Sequence, residues 1–218
     1  LVQRYTAHSN KERSEVMKAY MKNQFDFFGI QSPERRLLSS QSIRELGLPT
    51  DAELKRLCMM CFEHPCREMQ YFVQDVLKPL AKKRLQSDWI FIIERLVLTK
   101  SWGDTVDFLS PKIAGHILLR NPDQQAFWHE CWISSENVWL NRSAILLQLD
   151  YKTNTHAELL FSHVLRTKDS NEFFVQKASG WALRQYARVA PLKVGTFLET
   201  NPDLPPLTRR EASKHLSS

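Results

Sequence analysis

Lys100-Ser101-Trp102-Gly103-Asp104-Thr105-Val106-Asp107 opens a helical apolar pattern, and the chain writes a related opening twice more. Val138-Trp139 begins the second and Phe174-Val175 the third. Trp102 and Trp139 stand 37 positions apart, and Trp139 and Val175 stand 36 apart. A period of this size lies near the roughly 40 residues of two-helix repeats. One helix pair cannot bury its apolar face alone, so neighbouring pairs must stack on one another.

Working outward from these openings, apolar residues recur at helical spacing almost everywhere. Val16, Met17, Tyr20, Met21 and Phe25 predict a helix over residues 12–29 with Gly29 as its C-cap, and Ser32-Pro33-Glu34 reads as an N-cap and restart. Further helices are expected over residues 67–80, 88–99, 104–119, 121–132, 135–149, 157–167 and 172–187, with short ones opening at Pro191 and Leu207. No stretch reads as a strand. The expected fold class is all-α, a curved right-handed α-solenoid of HEAT-like (ARM-type) antiparallel helix pairs forming one domain over residues 1–218. A globular helical bundle is the alternative.

The chain has 218 residues, 43% hydrophobic and 25% charged, with only 6 glycines. No apolar run approaches the roughly 18 residues that span a bilayer, and no signal peptide is visible. A cytoplasmic, monomeric protein without membrane contact is therefore expected. Thirty Lys+Arg against 24 Asp+Glu leave a net charge of +6, which suits a nucleic-acid partner or a mildly basic housekeeping protein. Cys58 and Cys61 have CxxC spacing, but their segment is an apolar helix pattern. No second CxxC or paired histidines complete a zinc set, so buried helix cysteines are expected. His129-Glu130-Cys131 cannot share one helix face, and GxSxG, P-loop and GxGxxG motifs are absent.

The chemistry-bearing residues fall on matching faces of the repeated helices. Asp104 and Asp107 are i,i+3, as are Trp139 and Arg142; Lys177, Trp181 and Arg184 follow i,i+4,i+7. If these helices line one wall, they present cations for phosphates beside a ring and a carboxylate for a positively charged group. The plainer readings are a core Trp181, an Asp104 that only favours the helix dipole, and arginines that are solvated or paired with Glu136 and Glu172.

At this point the chain resembles the AlkD-like DNA alkylation repair family of HEAT-like-repeat DNA glycosylases. The matching segments are Tyr20-Met-Lys-Asn-Gln-Phe-Asp-Phe-Phe-Gly-Ile-Gln-Ser-Pro-Glu-Arg-Arg36, Thr99-Lys-Ser-Trp-Gly-Asp-Thr-Val-Asp107 and Trp139-Leu-Asn-Arg-Ser-Ala-Ile-Leu-Leu-Gln-Leu149. Glu172-Phe-Phe-Val-Gln-Lys-Ala-Ser-Gly-Trp-Ala-Leu-Arg184 and Leu207-Thr-Arg-Arg-Glu-Ala212 complete them. The resemblance implies removal of cationic 3- or 7-alkylated purines from double-stranded DNA, without a base-flipping pocket and with no metal or organic cofactor. It implies Asp107 as the catalytic carboxylate, Trp181, Gly103 and Tyr20 at the lesion-facing positions, and Arg142 and Arg184 on the DNA backbone, with Lys177 and Lys152 as further cations. Two positions depart from the family pattern. Gly103 stands where a lesion-facing tryptophan is usual, and Asp150 replaces a groove lysine. These departures keep two alternatives open: a DNA-binding paralogue without excision, and a protein-binding helical-repeat scaffold.

Overall fold

The computed structural model describes residues 1–216, with only the backbone of His215. Among these residues the regular structure is helical, apart from one isolated bridge between Asp26 and Cys66. The chain divides into two compact units, one from Leu1 to Leu80 and one from Ala81 onward.

The first unit holds α1 (Val2–Ala7), α2 (Lys11–Tyr20), α3 (Ser32–Leu46), α4 (Asp51–Glu63) and all but the last residue of α5 (Glu68–Ala81). Local signals set several of its ends. Thr50 and Glu53 form a reciprocal capping box that starts α4, and Asn10 caps α2 through Arg13 N–H. The cap of α3 is Gln31 rather than Ser32, which is already the first helical residue.

The helix expected over residues 12–29 stops at Tyr20. Lys22 and Asn23 turn left-handed, with φ of 53° and 56°. The cause is tertiary. Glu68, fully buried, accepts the backbone N–H groups of Phe28, Gly29 and Ile30 at 3.0, 2.9 and 3.2 Å. A buried carboxylate accepting three backbone N–H groups outweighs another turn of helix. Gly29 therefore serves this loop and not a helix end. Its φ is +84°, and a Cβ there would lie 2.1 Å from Asn10 O.

The second unit holds α6 (Trp89–Leu98), α7 (Gly103–Phe108), a π-helical turn (Leu109–Ala114), α8 (Gly115–Arg120), α9 (Pro122–Ile133) and α10 (Val138–Leu146). It continues through α11 (Ala157–Arg166), α12 (Phe173–Ala187), α13 (Pro191–Thr200) and α14 (Pro206–Ala212). The helices form two rows. In one, α7 packs on α10, α10 on α12 and α12 on α14. In the other, Phe91 of α6 meets Trp128 of α9, Glu130 of α9 pairs with Arg166 of α11, and Phe161 of α11 stacks on Phe197 of α13 at 4.2 Å. The repeated openings at Trp102, Val138-Trp139 and Phe174-Val175 thus begin successive members of one row. Its interior is apolar: Val106, Leu109, Ile113, Ala144, Ile145, Val175, Ala178 and Leu183 are buried.

The helix expected over residues 104–119 is interrupted. Pro111 has no N–H to offer the carbonyl of Asp107, four residues earlier. The chain widens there, and Gly115 N–H reaches Ser110 O, five residues back. Ser110 Oγ steadies the wide turn through Val106 O and Ser143 Oγ, both at 2.8 Å. Gly115 also allows a close approach to α10, since a Cβ there would lie 2.3 Å from Leu147 O.

Candidate active site

Trp102 is the extended residue from which α7 starts, and its carbonyl receives Val106 N–H. One turn on, Asp107 leaves α7 just before the π turn. On α10, Asn137 caps the first turn by accepting Trp139 and Leu140 N–H, and this start places Arg142 against α7. The Arg142 guanidinium clasps Asp107 with two parallel bonds, Nε to Oδ1 at 2.7 Å and Nη2 to Oδ2 at 2.8 Å. Its remaining edge, Nη1, donates to the carbonyl of Phe174 on α12. Three successive members of the row are joined through one side chain.

The pair is asymmetric. The Arg142 side chain is 4% exposed, whereas that of Asp107 is 28% exposed. The arginine lies behind and the carboxylate reaches the surface. Burial pushes the Asp107 carboxyl above its ordinary range. The bonds and charge of Arg142 oppose that rise, nearby Asp104 adds to it, and Lys177 counters it. A partly desolvated carboxylate fixed by a bidentate partner can stabilise a cation or orient a water molecule with little reorganisation.

An aromatic cluster adjoins the pair. The Phe174 ring lies 4.9 Å from Trp139 and 5.4 Å from Trp102, centroid to centroid, and Trp102 and Trp139 are 6.1 Å apart. The Arg142 guanidinium carbon is 5.6 Å from the Phe174 ring centre. Sequence places Trp139 on the helix face it shares with Arg142, whereas Phe174 is not among the expected site residues. The signal for Phe174 lies in the repeated openings, each of which carries an aromatic residue. Gly103 is packed beneath this cluster, where a Cβ would meet Phe174 Cε1 at 3.3 Å.

The other expected residues are distributed as follows. Trp181 is half-buried on α12, seven residues after Phe174 and so on the same helical face. Lys177 is exposed between them, with its Nζ 5.4 Å from the centre of the Phe173 ring. Arg184 is paired, its Nη1 donating to Glu211 Oε2 at 2.5 Å and to Glu211 O at 3.3 Å. Lys214 and Arg184 together hold the Glu211 carboxyl below its usual range. The partners suggested by sequence, Glu136 and Glu172, are therefore replaced by Asp107 for Arg142 and Glu211 for Arg184. Each true partner lies one repeat away and was hidden from local spacing.

Lys152 is exposed in a short 3-10 turn with φ of 55°. Asp150 does not stand as an uncompensated negative charge, because Lys112 Nζ contacts its two oxygens at 2.7 and 2.6 Å. Tyr20 belongs to the first unit, where it ends α2 and is 86% exposed. Exposed Val16 lies on the same helix, one turn earlier.

Other chemistry-bearing features lie elsewhere. A cavity of about 670 Å³ in the first unit is lined mainly by apolar residues, including Leu46, Met60, Phe72 and Val76, and by none of the expected site residues. Cys58 and Cys61 are buried free thiols, and burial raises both, Cys61 to about 12. That makes them poor nucleophiles and poor metal ligands. Among the described residues, no cluster of three or more His, Cys, Asp or Glu is placed to hold a metal ion. No described helix is long and apolar enough to cross a membrane.

Comparison with known proteins places the chain in a family by sequence and by structure. The family model of DNA alkylation repair enzymes matches residues 1–216. A solved structure described as a predicted DNA alkylation repair enzyme from Enterococcus faecalis superposes with a TM-score of 0.87 at 32% sequence identity. The match covers 96% of this chain and 97% of that one. No curated protein matches the sequence. Nearly the whole chain, both units included, is thus shared with a solved relative, and the protein belongs to the family of DNA alkylation repair enzymes.

Proposed function

We propose that this protein is a DNA glycosylase that hydrolyses the N-glycosidic bond of cationic alkylated purines in double-stranded DNA, with Asp107 as the catalytic carboxylate. The observation that carries the reading is the Asp107–Arg142 pair. It is a surface-reaching carboxylate, locked from behind by a buried arginine and bordered by aromatic rings. Alkylation at N3 or N7 places a positive charge on the purine and makes it a good leaving group. Strong acid catalysis of departure is then unnecessary. As the base leaves, positive charge grows on the sugar, and a fixed carboxylate lowers the barrier by electrostatic complementarity and by orienting the attacking water. Aromatic faces contribute about 0.5–2 kcal/mol toward a cationic group. Trp181, on the same face of α12 as Phe174, is assigned to such a wall.

Arg142 is a positioning residue in this reading, holding Asp107 rather than a phosphate. Lys177 and Lys152, both exposed, supply backbone cations together with the net charge of +6. Arg184 is assigned to the backbone by resemblance, and its bond to Glu211 would have to open or be shared on binding. Exposed Tyr20 is assigned to the DNA contact of the first unit. The protein acts as a monomer without a cofactor.

The test is release of 7-methylguanine from methylated duplex DNA. Wild type should release the base, and Asp107→Asn, which keeps the shape and loses the charge, should lower release by about a hundredfold or more. Unchanged release by Asp107→Asn would remove the mechanism. The non-catalytic alternative is favoured by Gly103, which removes a usual lesion-facing ring. It predicts salt-sensitive duplex binding without release by wild type.

A further inference from the structure

The π turn behind Asp107 presents one side chain to the outside. Leu109, Ser110, Pro111, Ile113 and Ala114 are buried, and Lys112 is the one residue of this turn that is not. Its Nζ donates to Oδ1 and Oδ2 of Asp150, just beyond α10, at 2.7 and 2.6 Å. Two ion pairs therefore join the same two stretches of chain, 107–112 and 142–150, with opposite polarity. In Asp107–Arg142 the carboxylate is the outer partner, 28% exposed against 4%. In Lys112–Asp150 the ammonium is the outer partner, 40% exposed against 23%. An ammonium has three N–H donors. Asp150 takes two of them, and one remains for a ligand oxygen.

Positive charge continues beyond Lys112. His116 lies about one turn on, its Nε2 3.9 Å from Asp150 Oδ2. Burial lowers the His116 imidazole below its ordinary range, Asp150 opposes that, and the charges of Lys82, Lys112 and Arg120 add to it. Three cations thus surround one ring. Arg120 Nη2 donates to the carbonyls of Ala81 and Leu85, which ties the segment carrying exposed Lys82 to the end of α8. We propose that Lys112 is a DNA-backbone residue, that with Lys82 and His116 it forms a phosphate subsite beside the candidate catalytic carboxylate, and that Asp150 positions it. The inference rests on the reading of duplex DNA as the substrate. Five residues of helix rise roughly 7 Å, so the subsite stands from Asp107 at the scale of a nucleotide step. The outward carboxylate meets the cationic base and sugar, and the outward ammonium meets the anionic strand that carries them. Holding the lysine in advance reduces the side-chain freedom lost on contact.

The experiment separates contact with phosphate from mere neutralisation of Asp150. Lys112→Gln combined with Asp150→Asn removes one charge of each sign and leaves the net charge of the chain unchanged. If the lysine only cancelled the carboxylate, this double variant would bind duplex DNA as wild type does. As a phosphate contact, its loss should weaken binding of an undamaged duplex by about three- to tenfold at low salt. It should also reduce the slope of log affinity against log salt by about 0.9. Asp150→Asn alone keeps the ammonium and should keep the wild-type slope. Wild-type affinity and slope in the double variant overturn the proposal.

A second measurement uses wild type and so does not depend on how a variant folds. Limited lysine acetylation, read by mass spectrometry with and without the duplex, should show Lys112 and Lys82 protected by DNA. Equal acetylation of Lys112 in both states overturns the proposal, as does a wild type that holds no duplex. Neither measurement requires excision. Duplex binding that depends on Lys112, in a protein that releases no 7-methylguanine, sinks the glycosylase reading and leaves this subsite standing. Release of the base by a protein whose duplex binding ignores Lys112 does the reverse.

Discussion

Replacing Arg142 with Gln removes the guanidinium that holds Asp107 and leaves a partly desolvated carboxylate without its two charge-assisted donors. Breaking a buried ion pair on one side typically costs about 3–5 kcal/mol. Here the Asp107 side chain is 28% exposed, so water recovers part of that loss. The Phe174 carbonyl also loses a donor. A net destabilisation of about 2–3 kcal/mol is expected, which at roughly 2–4 °C per kcal/mol for a chain of this size lowers Tm by about 4–12 °C. The substitution also acts on the chemistry. Arg142 is the largest influence holding the Asp107 carboxyl down against burial, so its removal raises that group further. A raised carboxyl is protonated, and inactive as an anion, up to a higher pH. The acidic limb of the release rate should therefore move to higher pH in Arg142→Gln, with Arg142→Lys intermediate because it keeps charge but cannot bind bidentately. Thermal melts followed by circular dichroism and a pH–rate profile provide the measurements. An unchanged Tm together with an unmoved acidic limb would refute the claim that Arg142 sets the state and place of Asp107.

Gly115→Ala should destabilise by about 1–3 kcal/mol, because its Cβ meets the rigid backbone oxygen of Leu147 at 2.3 Å; a melt at wild-type Tm would contradict the close approach. His129 and His163 share a buried 2.8 Å hydrogen bond, and burial lowers them to about 3 and about 4. The unfolded chain takes up protons near pH 6.5 that the folded pair refuses, so stability is full above that pH and falls as pH drops toward 4. Leu at both positions should flatten this loss in urea titrations at pH 7.5 and 5. Lys112→Ala unmasks Asp150. It should weaken duplex binding, most at low salt, whereas Asp150→Lys should strengthen binding.

The repeat spacing was readable because stacked helix pairs impose a period on apolar residues, and α7, α10 and α12 of the row follow it. Pro111 inside the 104–119 pattern was also a visible mark, and it produces the π turn behind Asp107. What local pattern could not carry are the partnerships across long separations. Glu68 ends α2 by capturing backbone 40 residues away. Arg142 chooses Asp107 over Glu136 across a helix–helix contact 35 residues apart in sequence. Gly103 looks like a missing ring when read along α7, and only the fold shows that Phe174 of α12 lies against it. Helical periodicity fixes which face a residue occupies but not which neighbour reaches into it.

The proposed mechanism depends most on Asp107 acting on the reaction rather than on DNA affinity. The direct measurement is single-turnover release from a duplex with one 7-methylguanine, made beside binding of the same duplex, for wild type and Asp107→Asn. Release should fall by about a hundredfold or more while binding stays within about threefold. Equal release by the two proteins, or a loss fully explained by weaker binding, would contradict the role assigned to this carboxylate.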